Sequence, residues 1–319
     1  MKKQVSIYTL CILLLLSLTG CEHKELCFSH PHTAMLDVDF NWDRATDASP
    51  RSMSLYLFPK NGGRPLRYEF SGCKGGKIRV AAGRYDALCL NSDTEGIYYL
   101  NTEKITSFEV TTRSTQLLSE QSFHNIPEAN VPRVEGKEDE RVALAPDLLW
   151  SDNMYDIEVS ASDDNRLTLY PEISMHICTI EIRNADNLKY VSGISASIST
   201  MAGGVLVGQG HDVLSEERVT IPFEADMSPD KTTITGRLHS FGHCPTDLNS
   251  HKMVIYAILA DGSKWYYTYD VTEQFHTAPD PHRVHILLEK LPIPHPIVDG
   301  GGFNPSVDEW EEIDTDIDM

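Results

Sequence analysis

The feature that most constrains the fold is a strict alternation of apolar and polar residues that begins at residue 34. Every second residue from Ala34 to Trp42 is apolar, and the residues between them are polar apart from Met35. An alternation with a period of two gives one apolar face, which is typical of a half-buried β-strand. Similar short runs recur along the chain between Gly, Pro and Asn turn residues. The sequence therefore predicts an all-β fold of the sandwich type.

The candidate strands divide into two groups. Those of the first half are 34–42, 53–58, 66–70, 78–80, 85–90, 97–100 and 105–110. Those of the second half are 167–170, 173–182, 191–198, 219–223, 232–238, 253–260, 263–271 and 284–288. Asp261-Gly262 separates two of them and suits the positive φ angles of a two-residue hairpin turn.

A stretch rich in proline and charge, 119–145, lies between the two groups and has few apolar residues. This composition indicates a long loop or an interdomain connection. We therefore expect two β-sandwich domains, at 34–145 and 146–297.

The N-terminus carries the pattern of a bacterial lipoprotein. Lys2 and Lys3 precede an apolar run that ends in Leu18-Thr19-Gly20-Cys21. This run is shorter than the ~20 residues that span a bilayer, and the order of charge, apolar run and small residues predicts a signal peptide at 1–20. In a lipobox the Cys21 thiol receives a diacylglycerol and its amino group a further acyl chain, and polar residues 21–33 would form the tether. The alternative is an ordinary secretory signal with a chance cysteine.

The charge balance restricts the partners. The chain has 27 Lys and Arg against 47 Asp and Glu, a net charge of −20. Nucleic-acid binding depends on neutralising phosphates, so this excess argues against it, and it also argues against a polybasic contact with lipid headgroups. We expect membrane attachment through the acyl chains on Cys21.

Seven cysteines are present, of which Cys11 would leave with the signal peptide and Cys21 would be lipidated. The other five are Cys27, Cys73, Cys89, Cys178 and Cys244. Their odd number and irregular spacing leave open one or two disulfides or buried free thiols.

No catalytic signature is present: the chain lacks G-x-S-x-G, H-E-x-x-H and the phosphate-binding G-x-x-x-x-G-K-[ST]. His30 and His32 offer a weak metal pair, while His282 and His285 fall in or beside a candidate strand, where structural roles dominate. Three acids imitate the start of a calcium loop but lack its later Gly and Glu; they are Asp314, Asp316 and Asp318. We therefore predict a protein that is not an enzyme and has no cofactor or metal site.

The tail at 298–319 is acidic, with apolar residues interspersed. Near its end Ile313, Thr315, Ile317 and Met319 alternate with aspartates, which predicts a strand with one apolar face. Such a strand can add to the sheet edge of another molecule. The same segment could instead pack on its own domain or be disordered.

Several stretches carry a resemblance to a known family. They are 21–27 leading into 30–33, Ser54 to Pro59 (SLYLFP), Tyr85 to Asp93 (YDALCLNSD), and the ending Gly300 to Trp310 (GGGFNPSVDEW). With the lipobox and the acidic β-rich body, the chain resembles a family of Bacteroidales outer-membrane lipoproteins. That family is similar in plan to the fimbrillins and, among them, to the anchor subunits of fimbriae.

This resemblance implies two transthyretin-like β-sandwich domains in tandem and assembly with fimbrial subunits by strand exchange. Stalk fimbrillins are cut after an Arg in the loop behind their first strand, and Arg44 and Arg51 lie in such a loop. An anchor needs no cut, so neither arginine is assigned as a processing site. The resemblance implies an anchor or accessory subunit whose 313–319 strand is donated to a neighbour.

The rival hypothesis is a cell-surface β-sandwich module that binds glycan or a host protein through its loops. In that case the aromatic residues Tyr98, Tyr99 and Trp150 should be exposed together.

Overall fold

A computed structural model describes residues 32–118, 123, 126–162, 164–246, 250–296 and 309–313. The predicted signal peptide, the lipidation site Cys21 and the tether as far as residue 31 lie outside the described residues. The described elements are almost all strands, with one short α-helix, α1 (Thr272–His276), and three short 3-10 helices. The predicted all-β class is therefore confirmed. In the described ranges no helix has the length and apolar character needed to cross a bilayer.

The strands have the following bounds. The earlier ones are β1 (Thr33–Phe40), β2 (Ser52–Pro59), β3 (Leu66–Ser71), β4 (Gly75–Ala81), β5 (Gly83–Asn91), β6 (Ile97–Leu100), β7 (Glu109–Thr112), β8 (Arg141–Val142), β9 (Trp150–Val159), β10 (Asn165–Leu169) and β11 (Glu172–Ile173). The later ones are β12 (His176–Ile182), β13 (Val191–Ala202), β14 (Gly204–Val205), β15 (Arg218–Met227), β16 (Ile234–Ser240), β17 (Lys252–Leu259), β18 (Lys264–Asp270), β19 (Arg283–Leu288) and β20 (Trp310–Ile313).

The first sandwich consists of a three-stranded sheet, β10-β1-β4, facing a five-stranded sheet, β11-β9-β5-β2-β3. β1 is the central strand of the smaller sheet, antiparallel to β4 and parallel to β10. Its alternating apolar residues point into the core, as the period of two predicts. The side chains that fill this core include Leu36, Val38, Phe40, Met53, Leu55, Leu57, Ala87, Cys89, Leu167 and Leu169.

The division of the chain differs from the boundary predicted at 145. β9 pairs with β5, and β10 pairs with β1, so residues 150–169 belong to the sheets of the first half. The expectation placed them in the domain 146–297. The physical reason is that alternation tells which face of a strand is buried but not which strand it pairs with. In addition, β9 has a mixed polar sequence, WSDNMYDIEV, that shows no clean alternation.

The second sandwich is formed by one sheet of nine strands that folds around its own core. The strand order is β19-β12-β16-β15-β13-β17-β18-β20, with β8 beside β15. β15 pairs with β13 as far as Glu224 and with β16 from Ala225 onward, so it passes from one layer to the other. The enclosed side chains include Ile180, Ile198, Ile221, Leu238, Ile255, Tyr267 and Ile286.

Where the structure describes it, the stretch predicted as a connection at 119–145 packs on the outer face of the second sandwich. Leu117, Val131 and Val134 form a buried cluster with Val254 and Tyr256 of β17. Their burial stabilises this covering segment, at about 25 cal/mol per Å² of apolar area removed from water.

A further cluster joins the two sandwiches. Tyr56 and Leu88, on the outer face of the five-stranded sheet, pack with Phe108, Val205 and Phe241. β6, β7 and β14 form a small sheet here. The strand predicted at 105–110 is a 3-10 helix at its start, Ile105–Ser107, and a strand only from Glu109.

The hairpin predicted around Asp261-Gly262 is present as β17 and β18. Its loop has three residues rather than two, because the amide of Leu259 donates to the carbonyl of Ser263. Gly262 has a φ of +87°, which closes a type I turn followed by a left-handed residue.

The described cysteines are free thiols: Cys73 is half-buried, and Cys89, Cys178 and Cys244 are buried. Burial raises the pKa of Cys89 well above its usual value and that of Cys178 to about 12. These thiols therefore behave as small apolar core residues. Cys27 lies outside the described residues.

Candidate functional site

The C-terminal segment forms an edge strand on its own chain. β20 runs parallel to β18, in register from Lys264 opposite Trp310 to Tyr267 opposite Ile313. Ile313 is thus the last described residue of the predicted donor strand. Thr315, Ile317 and Met319 lie outside the described residues. Donation of this strand to another molecule stays a prediction.

β20 places one large side chain on each face of the sheet. The Trp310 ring lies edge-on to Tyr256, with centroids 5.5 Å apart and planes at 74°. Ile313 packs from the other face against the core of the second sandwich. Burial, together with a hydrogen bond between its hydroxyl and Glu312, raises the pKa of Tyr266 to about 12. The edge strand is therefore held by side chains on both faces.

The attachment of β20 is nevertheless limited. It comprises four residues and pairs with one strand, and two of its side chains, Glu311 and Glu312, are exposed. The indole Nε1 of Trp310 is buried without a hydrogen-bond partner. An unsatisfied buried donor costs about 1–3 kcal/mol. The edge position is therefore less stable than a position in which the Trp310 indole N–H would be hydrogen-bonded.

β1 is much more firmly attached to its sheet than β20. Its side chains Leu36 and Val38 are 2% exposed, and it hydrogen-bonds to strands on both sides. In the loop after it, Arg44 donates to Glu172 at 2.7 Å, whereas the side chain of Arg51 is largely exposed. The groove that removal of a first strand would open is filled here by β1.

The three aromatic residues of the rival hypothesis do not form one exposed surface. Tyr98 is exposed on β6, but Tyr99 points the other way and packs against Phe108 at 5.6 Å. Burial, the largest influence, raises the pKa of Tyr99 to about 12. Trp150 lies edge-on to Trp42 at 6.4 Å. The predicted common surface of Tyr98, Tyr99 and Trp150 is therefore not formed.

Ser174 and His211 resemble the serine–histidine arrangement that activates a nucleophile. Ser174 Oγ lies 2.9 Å from His211 Nδ1 and 2.7 Å from Ser151 Oγ. Ser174 is only 2% exposed, so its hydroxyl is enclosed by the protein and cannot reach a substrate. The pair is a structural hydrogen bond.

The structure brings together a set of residues that the sequence did not connect. His176, Asp212 and His282 each offer one metal-ligating atom, and these atoms lie within 4.8 Å of one another. Burial and the neighbouring His282 lower the pKa of His176 to about 4, so its imidazole is neutral. The three residues come from distant parts of the chain, and no ligand spacing in the sequence marks them.

Comparison with known proteins identifies the family of this chain. Residues 20–224 match the family described as a domain of unknown function, DUF5119. A Bacteroides ovatus protein named as a candidate fimbrium anchoring subunit, Fim4B, is 26% identical over 220 residues. That alignment covers 69% of this chain and 60% of the relative, so the chain spans well under the relative's full length.

Two solved structures share the fold. A candidate adhesin from Bacteroides ovatus is 23% identical, with 86% of this chain and 99% of the other covered and a TM-score of 0.59. A DUF1812 structure from Bacteroides thetaiotaomicron, described as a candidate polysaccharide-binding protein, is 11% identical, with 80% and 91% covered and a TM-score of 0.51. At these identities the likeness concerns the fold alone. With 20–224 matched, this chain belongs to the DUF5119 family.

Proposed function

We propose that this protein is a non-enzymatic anchor or accessory subunit of a fimbria-like surface assembly, held in the outer membrane by lipid on Cys21. The name of the Bacteroides ovatus relative, a fimbrium anchoring subunit, supports this role. The structural observation that carries the proposal is the position of β1. As long as the chain is not cut behind β1, the first sandwich needs no strand from a subunit beneath it, which is the condition that an anchor must meet.

The filled position of β1 is energetically secure. Four of its side chains, Ala34, Leu36, Val38 and Phe40, lie in the core of the first sandwich. An incoming donor strand would have to expel them and break two ladders of backbone hydrogen bonds. The first sandwich is thus suited to the end of an assembly that faces the membrane. The tether 21–33 would enter it directly at β1, and could span roughly 40 Å at about 3.3 Å per residue.

The C-terminal strand β20, unlike the central strand β1, lies at a sheet edge. The described part of the tail, Trp310–Ile313, has the chemistry of a strand and occupies a sheet edge. Added to a neighbour, the same segment would satisfy the open backbone groups of that neighbour's edge strand. Ile313, Thr315, Ile317 and Met319 would then alternate into the neighbour's core.

The proposal is tested by the double substitution Ile313→Asp and Ile317→Asp in the full chain, expressed in a Bacteroides host. We expect normal membrane levels and no co-purification of the neighbouring fimbrial subunit, because two charges would enter the recipient's core. Glu311→Gln is the matched control, since Glu311 is exposed on the same strand, and it should co-purify normally.

Unchanged co-purification of the doubly substituted protein would refute strand donation. Lipid anchoring is tested separately by Cys21→Ala, which should move the protein from the membrane fraction to the soluble fraction. Retention of the Cys21→Ala protein in the membrane would refute the lipid anchor.

A further inference from the structure

We infer that His176, Asp212 and His282 form a binding site for a divalent transition-metal ion of the zinc type. Their ligand atoms lie within 4.8 Å of one another. The site shares no residue with the tail or with the lipidation motif, so its role is additional to assembly.

The backbone places the two imidazoles side by side. His176 is the first residue of β12, and His282 directly precedes β19. These strands are parallel neighbours, with Ile177 opposite Arg283, and the amide of Ile177 donates to the carbonyl of His282 at 2.8 Å. As a result the two ring centroids are 4.4 Å apart. The sheet itself therefore fixes the pair.

Asp212 comes from the loop after β14, which is held by bonds that do not involve the histidines. The hydroxyl of Tyr155 donates to the carbonyl of Gly208 at 2.5 Å. Asp212 Oδ1 lies 3.5 Å from His282 Nε2, and the Asp212 side chain is 72% exposed. A framework independent of the ion thus presents the carboxylate, and the exposed side gives an ion a route from solvent.

The hydrogen bonding of the ring nitrogens fits metal ligation. His176 is hydrogen-bonded to the backbone carbonyl of Pro281. Its Nε2 is buried without a hydrogen-bond partner. Metal-ligating histidines characteristically donate one ring N–H to a carbonyl and turn the other nitrogen to the metal. His176 already has this arrangement.

The donor set selects the class of ion. Two imidazoles and one carboxylate match the three protein ligands of an open zinc site, whose fourth position takes solvent. Zinc–ligand distances of about 2.0–2.2 Å in a tetrahedron put ligand atoms roughly 3.3–3.6 Å apart. The separation of 3.5 Å between Asp212 and His282 falls in this range. Calcium and magnesium prefer sites of oxygen ligands alone.

A bound ion would connect the loop after β14 to the second sandwich, close to the cluster through which the two sandwiches meet. An ion that binds the folded chain more tightly than the unfolded chain stabilises it in proportion to its occupancy. We therefore expect zinc to raise the Tm.

The experiment uses the full chain, purified without a histidine tag and freed of metal with a chelator. Calorimetric titration with ZnCl2 and thermal unfolding are measured for wild type, Asp212→Asn, His282→Gln and the control His276→Gln. His276 belongs to another imidazole group, 5.5 Å from His243 between ring centroids. Asp212 is exposed, so Asp212→Asn should fold normally and provides the test if His282→Gln does not.

Wild type should bind one equivalent of zinc with a rise in Tm. Asp212→Asn should weaken binding at least about 10-fold, since loss of even an outer-shell partner typically costs that much, and His282→Gln should abolish it. His276→Gln should retain both the binding and the rise in Tm. The proposal is overturned if wild type binds no zinc, if Asp212→Asn binds like wild type, or if His276→Gln alone loses binding.

Discussion

The first and the last described strands of this chain join their sheets in opposite ways. β1 lies between two partners, with alternate side chains buried in the core of the first sandwich. β20 lies at the edge of the second sandwich, with one partner and two exposed side chains. Removal of β1 would open a core, whereas departure of β20 would uncover an edge. The first sandwich is therefore closed by β1, whereas β20 can leave its sheet without opening a core.

The test with the largest expected effect shortens one apolar side chain in each of the two strands and compares the losses in stability. Phe40 is 3% exposed and lies edge-on to Phe70 with centroids 5.3 Å apart. Phe40→Ala should lower the free energy of unfolding by about 3–5 kcal/mol. Ile313→Ala should cost only about 1 kcal/mol, because this side chain is half-buried at an edge. Urea denaturation followed by fluorescence measures both, and equal losses would contradict the contrast.

Much of β1 could be predicted from sequence, but its partners could not. The alternation from Ala34 to Phe40 identified the buried face correctly. β1 pairs in parallel with β10, with Val38 opposite Leu167. This pairing depends on residues far along the chain, which the alternation within β1 does not identify. β9 was missed for a different reason, because its own sequence shows no alternation. The hairpin β17–β18 was predicted because its signal, Asp261-Gly262 between two apolar runs, is local.

The candidate sites also differ in whether a local sequence signal marks them. The tail strand was predicted from residue 313 onward by its own alternation. The described strand is Trp310–Ile313, so only Ile313 is common to both, and residues 314–319 of the prediction lie outside the described ranges. The His176, Asp212 and His282 group has no sequence signal, because its spacing is set by the parallel pairing of β12 with β19 and by a loop from elsewhere. Only a three-dimensional structure brings such ligands together.

A second test, with a smaller expected effect, measures the stability of the second sandwich at alkaline pH. Burial raises the pKa of Tyr256 in the second sandwich to about 12, against about 10 in an unfolded chain. Below pH ~10 the phenol is protonated in both states and its contribution to stability is complete. Between about pH 10 and 12 only the unfolded phenol ionises, so stability should fall, by roughly 2 kcal/mol for this group.

Denaturant unfolding at a series of pH values measures this slope. Tyr256→Phe loses the hydrogen bond to the Pro132 carbonyl and so is less stable at neutral pH, but its stability should decline less above pH ~10. Tyr98→Phe, at an exposed position, is the matched control and should keep the wild-type slope. A Tyr256→Phe protein with an unchanged alkaline slope would show that the covering segment does not bury this phenol in solution.

The smallest expected effect concerns the side-chain bond that holds β20 in place. The hydroxyl of Tyr266 is hydrogen-bonded to Glu312 on the neighbouring strand. Tyr266→Phe removes that bond and should cost about 0.5–1.5 kcal/mol. Because β20 pairs with β18 alone among the described strands, this loss should fall on the edge and leave both cores intact. Hydrogen exchange should therefore quicken at Trp310–Ile313 while the amides of β1 exchange as in wild type. If the amides of β1 also exchange faster, the edge and the first core open as one unit, and β20 could not leave its edge without loosening the first sandwich.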